Sequence, residues 1–126
     1  MYAEQLSLAR QLDIVFSQLS EELSQLASGT VYVHIRNNAV GKFGLRHNPI
    51  QLWEQPLPAK KRRGLSQEQQ ALLRKIALQA LQLKSGWTHG EIQFDFALRN
   101  DRLVASVQFE SNYNMAAVLP ALRLAR

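Results

Sequence analysis

Residues 91–110 read EIQFDFALRNDRLVASVQFE, and they carry the clearest structural signal in the chain. Apolar and polar side chains alternate on both sides of Asn100-Asp101, which is the pattern of two half-buried strands. The apolar members are Ile92, Phe94, Phe96, Leu98, Leu103, Ala105, Val107 and Phe109. Because Asn and Asp tolerate left-handed backbone geometry, the pair predicts a two-residue turn and the stretch predicts a β-hairpin.

A similar signal lies nearer the start of the chain. Residues 30–36 alternate with a period of two, and Asn37-Asn38 follows as a second turn candidate. Residues 42–46 then resume the alternation, which predicts a first hairpin. Pro49 limits any continuation toward Trp53 to an edge or a bend, because proline cannot donate to a strand ladder.

Two amphipathic helices separate the strands. Apolar residues recur at three- and four-residue steps through residues 3–27, with Gly29 as a stop. The recurring apolar residues are Leu8, Leu12, Val15, Leu19, Leu23 and Leu26. Ser66 and Gln69 form a capping-box pattern that opens the second helix, which Gly86 ends. The apolar face of the second helix comprises Leu72, Leu73, Ile76, Ala77, Ala80 and Leu83. Residues 115–126 are weakly helical and contain a proline, which predicts a short docked helix or a frayed end.

These segments predict an α+β protein with the order helix, hairpin, helix, hairpin in a single domain, 1–126. Two helices can cover one face of a four-stranded, mainly antiparallel sheet. The other face then carries Tyr32, His34, Arg36, Lys42, Arg46, Glu91, Gln93, Asp95, Ser106, Gln108 and Glu110. That face is polar, with its charges segregated by sign, so it is either solvated or a binding surface.

Composition excludes several function classes. The 126 residues contain no cysteine, so disulfides, thiolate nucleophiles and cysteine zinc sites are all excluded. No signal peptide and no apolar run of about 20 residues stands out, which predicts a cytoplasmic protein without a membrane segment.

Motifs for catalysis and cofactor binding are missing from the sequence. The three histidines have no metal-ligand spacing, and no glycine-rich phosphate loop or nucleophile elbow occurs. The sequence therefore predicts no catalytic residue, no metal and no cofactor. One enzymatic alternative remains, a site on the open sheet face assembled from Tyr32, His34 and Asp95, although His34 has no visible partner there.

The positive charge is concentrated in one part of the chain. Of a net charge of +5, residues 31–65 alone contribute +6. The cations there include the run Lys60, Lys61, Arg62 and Arg63, and also Arg36, Lys42 and Arg46. Such a patch can neutralise phosphates, so nucleic-acid binding is an alternative function, although no aromatic residues interleave the run for base stacking.

Gly86-Trp87-Thr88 leads from the second helix into the last hairpin. This arrangement, over residues 65–110, resembles the YezG-like family of bacterial immunity proteins, which carry a Trp-Thr pair before an alternating hairpin. The resemblance implies a protein that binds and neutralises a toxin partner and has no active site. The basic middle of this chain departs from the acidic, aromatic-rich character of that family.

Together these observations favour a cytoplasmic, non-enzymatic protein-binding module, and the resemblance implies an immunity-like inhibitor. The residues predicted to contact its protein partner are Tyr32, His34, Arg36, Trp53 and Tyr113, on the open sheet face and in loops 47–64 and 111–115. The free edges of a four-stranded sheet also allow a homodimer.

Overall fold

The computed structural model describes residues 6–49, 63–84, 86 and 89–124. Within them, four antiparallel strands form one sheet in the order β2-β1-β3-β4. The strands are β1 (Ser28–Arg36), β2 (Ala39–Arg46), β3 (His89–Arg99) and β4 (Arg102–Ser111). Each hairpin therefore contributes one central strand and one edge strand, and the α+β class predicted from the sequence is confirmed.

Both hairpins turn on residue pairs with left-handed backbone geometry. Asn37 and Asn38 have φ angles of 52° and 61°, and Asn100 and Asp101 have φ angles of 53° and 61°. Short polar side chains make this geometry tolerable because they bond locally to the backbone. The two predicted turns are confirmed, and β2 begins three residues earlier than the alternation indicated.

The helices are α1 (Leu8–Gln18), α2 (Ser20–Leu23), α3 (Gln67–Ala80), followed by a 3₁₀ helix (Leu81–Leu83), and α4 (Met115–Leu124). The Ser66–Gln69 capping box opens α3 as predicted. The prediction of one uninterrupted helix ending at Gly29 is wrong, because the helix breaks at Leu19 and Gly29 lies inside β1. Gly29 lies in a tight environment, since an added Cβ would lie 3.0 Å from the Arg46 carbonyl oxygen.

The core lies between the sheet and the two longer helices, α1 and α3. Its buried members include Leu12, Val15, Phe16, Leu23, Val31, Val33, Ile35, Leu65, Leu73, Ala77, Ile92, Phe94 and Phe96. Two residues that the periodicity assigned to this core are instead exposed, Leu72 by 46% and Leu83 by 76%. Leu83 departs from the predicted core position where the α-helix ends at Ala80 and continues as a 3₁₀ helix, in which the angular spacing of side chains differs.

Helix α4 contrasts with the packed helices. It runs from Met115 through Pro120 to Leu124, and the described side chains from Met115 to Leu122 are all exposed. The sequence left a docked helix or a frayed end open, and the chain here forms a helix that is not docked. In the described part of the chain, no helix combines the length and the apolar character that crossing a membrane requires.

Candidate binding surface on the open sheet face

The face of the sheet opposite the helices is a continuous array of polar side chains. Strand register places Tyr32 opposite Gln93, His34 opposite Glu91, and Thr30 opposite Asp95. The sequence predicted that the outward residues of the two hairpins share one face. The structure adds that β1 and β3 are direct neighbours, so residues far apart in the chain become cross-strand pairs.

Tyr32 organises the basic edge of this face. Its ring lies over Gly44, its cross-strand partner on β2, and a Cβ at that position would overlap the ring. The Arg46 guanidinium lies 5.3 Å from the centroid of the same ring, which is within cation–π distance. Three residues of β1 and β2 therefore form an ordered aromatic and cationic edge.

His34 is oriented from two sides. Its ring meets Tyr32 edge to face at a centroid distance of 5.5 Å, and its Nε2 lies 2.7 Å from Glu91 Oε1. Gln93 Nε2 donates to the other oxygen of that carboxylate at 2.6 Å. The Glu91 carboxylate is mostly buried and the His34 imidazole is half exposed. The imidazole is therefore accessible to solvent while the carboxylate fixes its orientation.

The enzymatic alternative named Asp95 as a partner of Tyr32 and His34. The structure brings Tyr32 and His34 together, but Asp95 lies opposite Thr30 and accepts a hydrogen bond from its hydroxyl. Glu91 takes the place that Asp95 was predicted to fill. Sequence reasoning missed this partner because alternation shows which residues share a face and does not show which residues are opposite across strands.

A cleft of about 460 Å³ opens at the end of this face. Its polar lining residues are His34, Arg36, His89, Asn112, Tyr113 and Asn114. Arg36 Nε donates to His89 Nε2 at 3.2 Å, and no carboxylate among the described residues lies within ion-pair distance of its guanidinium. The cleft therefore offers an arginine whose terminal nitrogens have no charged partner in the described structure.

Tyr113 joins the cleft to α4. Asn114 caps that helix, because its side-chain oxygen accepts from the Ala116 amide at 2.9 Å. Beyond the cap, four exposed apolar side chains recur at helical spacing on one side of α4 and form an apolar stripe. The stripe consists of Met115, Val118, Leu119 and Leu122. Sequence reasoning noted a weak helix here and missed the stripe, although its three- and four-residue spacing was visible.

The predicted partner-contacting residues thus fall into two groups. Tyr32, His34, Arg36 and Tyr113 lie on the open face or line the cleft at its end. Trp53 lies outside the described residues. Their convergence is a property of the tertiary structure, since Tyr113 follows the last strand and the other three belong to the first.

The basic patch is described only in part. Lys42 and Arg46 lie on β2, the edge strand, and Arg63 precedes α3; all three are exposed. Lys60, Lys61 and Arg62 lie outside the described residues. In the ranges that the structure does describe, no three side chains of His, Asp or Glu are grouped to hold a metal ion.

Comparison with known proteins assigns no relative: no protein-family model matches the chain, and no curated protein or solved structure matches it significantly.

Proposed function

We propose that this protein is a non-enzymatic binding module that captures another protein with one composite surface. That surface, called here the cleft–helix surface, consists of the cleft side chains His34, Arg36 and Tyr113 together with the apolar stripe of α4. The exposed stripe beside the polar cleft is the observation that carries the proposal.

The exposure of these side chains is unusual for a solvated surface. Tyr113 is 84% exposed, Met115 66% and Leu122 58%. Soluble proteins rarely expose contiguous apolar patches unless the patch binds something. An isolated helix as short as α4 is also marginal in water, so a partner that covers its stripe would stabilise it.

The arrangement matches the composition of protein interfaces. Such interfaces have an apolar centre with a polar rim, and tyrosine and arginine are enriched among the residues that carry most of the binding energy. Here the stripe would supply the centre, Tyr113 an aromatic anchor, and Arg36 the charged donors of the rim. Arg36 would favour a carboxylate on the partner, because its planar guanidinium can bond both oxygens.

The resemblance to immunity proteins sharpens the proposal. In that form, the partner is a toxin that the protein binds stoichiometrically and neutralises. The Gly86-Trp87-Thr88 motif before the last hairpin is what supports this form, and the cleft–helix surface is where the toxin would bind. The sheet and the helices α1 and α3 form the scaffold that holds the cleft–helix surface.

The test is affinity capture of the tagged protein from native lysate, with and without nuclease treatment, with matched variants. Val118→Glu with Leu122→Glu places two charges in the stripe, and Ile14→Glu places one on α1, where Ile14 is likewise exposed. We expect a stoichiometric protein partner that the α4 variant loses and the Ile14 variant retains. Purified partner and protein should then reproduce this difference in a binding titration.

Two results would contradict the proposal. A partner retained equally by both variants would bind elsewhere, and the cleft–helix surface would lose its role. Captured material that disappears with nuclease, with binding that falls steeply as salt rises, would favour the nucleic-acid alternative instead. In that case charge reversal at Lys42, Arg46 and Arg63 should reduce binding.

A second candidate, a small enzyme on the open sheet face, is favoured by the pairing of His34 with Glu91 at 2.7 Å. An imidazole oriented by a carboxylate is a common form of general base. A panel of chromogenic esters and phosphoesters tests this candidate. Turnover by the wild-type protein that His34→Gln abolishes would support an enzyme, and equal background rates for both proteins would reject it for these substrates.

A further inference from the structure

Strand β4 presents a long, regular outer edge. It pairs with β3 in unbroken register from Arg102 to Ser111, and among the described residues no strand pairs with its other side. The opposite edge strand, β2, is interrupted, because its register with β1 shifts between Val33 and Ile35. Bulges protect an edge from pairing with another chain, so within the described residues β4 is the edge that lacks this protection.

The direction of the main-chain groups on β4 follows from one hydrogen bond. Asn112 N donates to His89 O at 2.9 Å, in continuation of the β3–β4 register. Because direction alternates along a strand, the even-numbered residues of β4 bond to β3. The amides and carbonyls of Leu103, Ala105 and Val107 therefore point away from β3, toward the free edge.

We propose that this edge pairs antiparallel with the β4 edge of a second copy of this chain, around a two-fold axis at Ser106. Directly opposite residues in such a pair must share a sheet face, so only every second register is allowed. The register centred on Ser106 places Arg102 of each copy opposite Glu110 of the other. Shifting the register by one allowed step removes both charge pairs.

Arg102 and Glu110 are suited to this role. Both are exposed at opposite ends of β4, and neither has an ion pair among the described residues. Opposite charges that face each other across strands stabilise the pairing, and like charges destabilise it. The strand is thus self-complementary, because two copies form two Arg102–Glu110 charge pairs.

The helix side of the edge supplies apolar surface. Leu103, Ala105 and Val107 are only partly buried. Gln69 Nε2 donates to the Asp101 carbonyl oxygen at 2.9 Å, which shows that this side of α3 lies over the β3–β4 hairpin. Leu72, one helical step from Gln69, is 46% exposed. A second copy would cover these groups with its own, and the two sheets would join into eight strands.

The β4–β4 pairing uses none of the cleft–helix surface, so the experiments on this pairing test it independently of the proposed function. Isologous two-fold contacts are the commonest form of protein association. In this dimer, both open sheet faces lie on the same side, because the axis is perpendicular to the sheet. Two cleft–helix surfaces would then be offered to a partner from one side.

The first experiment places a single cysteine on β4 of the full chain, which has no other cysteine. At the symmetric position the two Cα atoms would lie about 4.5 Å apart, close enough for a disulfide. We expect Ser106→Cys to form a covalent dimer on mild oxidation at micromolar protein. Val104→Cys and Gln108→Cys are the controls. Both residues lie on the same sheet face as Ser106, but in the proposed register residue 104 of one copy is opposite residue 108 of the other. In neither control are the two introduced cysteines directly opposite. Equal cross-linking of all three variants, or of none, would overturn the proposal.

The second experiment reverses the terminal charges and measures the monomer–dimer equilibrium by sedimentation. We expect Arg102→Glu or Glu110→Arg alone to raise the dimer dissociation constant about tenfold or more, because each creates two like-charge pairs. The double variant should return to within about threefold of wild type, since the same pairs form with exchanged signs.

A third variant separates edge pairing from other association. Ala105→Pro removes an outward amide while leaving the ladder to β3 intact, so the chain should fold and fail to dimerise. Circular dichroism checks its folding. A wild-type chain that stays monomeric at about 200 μM would overturn the proposal. A dimer lost only when Leu122→Glu is introduced would assign the association to α4 instead.

Discussion

The first hairpin (β1–β2) and the second (β3–β4) turn on the same kind of residue pair but present different outer strands. Strand β2 shifts register against β1 and carries Gly44 beneath the Tyr32 ring. Strand β4 holds one register along its whole length. The difference shows that a hairpin turn specifies pairing within the hairpin, whereas glycines and bulges decide whether its outer edge remains available to another chain.

The inner strands of the two hairpins, β1 and β3, differ less from each other in burial than the inner and outer strands do. Val31, Val33, Ile92 and Phe94 are all fully buried beneath α1 and α3, whereas Phe43 on β2 is only partly buried. Position in the sheet, rather than membership of one hairpin, therefore sets how much each residue contributes to stability.

Phe94→Ala should destabilise the protein by about 3–5 kcal/mol, because it leaves a cavity in the middle of the core. Phe43→Ala on the edge strand should cost about 1–2 kcal/mol, since less apolar surface is lost. Urea denaturation followed by far-ultraviolet circular dichroism measures both. Equal losses would show that the edge is as tightly packed as the centre.

Gly44→Val should cost about 1–3 kcal/mol, because its side chain would overlap the Tyr32 ring. Gly41→Val, on the same strand, should stay within about 0.5 kcal/mol of wild type, because nothing lies within 4 Å of an added Cβ there. The same denaturation assay compares them. In a Tyr32→Ala background the Gly44→Val penalty should shrink, and an unchanged penalty would refute the steric explanation.

Asn38→Ala and Asp101→Ala should each cost about 1 kcal/mol, because alanine is disfavoured in the left-handed region that both residues occupy. Asn38→Gly and Asp101→Gly should be neutral or stabilising, because glycine adopts that geometry without steric cost. Thermal unfolding monitored by circular dichroism is sufficient. Equal losses of stability in the two hairpins would confirm that their turns are equivalent. Unequal losses would mean that the hairpins differ because of their turns.

Glu91→Gln should cost less than about 1 kcal/mol, because the pair it forms with His34 is partly exposed. Its clearer effect should be on the His34 ring, whose NMR signals should shift and broaden once the orienting charge is lost. Glu21→Gln, an exposed carboxylate elsewhere on the chain, is the control and should leave those signals unchanged. Unchanged His34 signals in Glu91→Gln would mean that the pair does not persist in solution.

The chain carries enough local information to predict most of the fold. Alternation located the inner strands, polar residue pairs located both turns, and Ser66 with Gln69 located the start of α3. The errors arose where tertiary packing overrides a local pattern. The helix breaks at Leu19 despite its continuing leucines, and Leu72 is exposed although its spacing fits a core position.

The candidate surface was less predictable. Alternation and polarity predict that Tyr32, His34, Arg36 and Tyr113 are exposed, and the structure places them on one face and in its cleft. The partner of His34 could not be found in the sequence, because a contact between β1 and β3 depends on which strands become neighbours. Nothing in the alternation of either hairpin specifies that order.

Residues close together along the chain specify the α+β class, the two hairpin turns and the side chains that share each sheet face. Local patterns do not specify that β1 and β3 lie side by side, that Glu91 orients His34, or that the apolar stripe of α4 is exposed in the described structure. These features depend on register and burial, which arise from contacts between distant segments and form only when the whole core packs together.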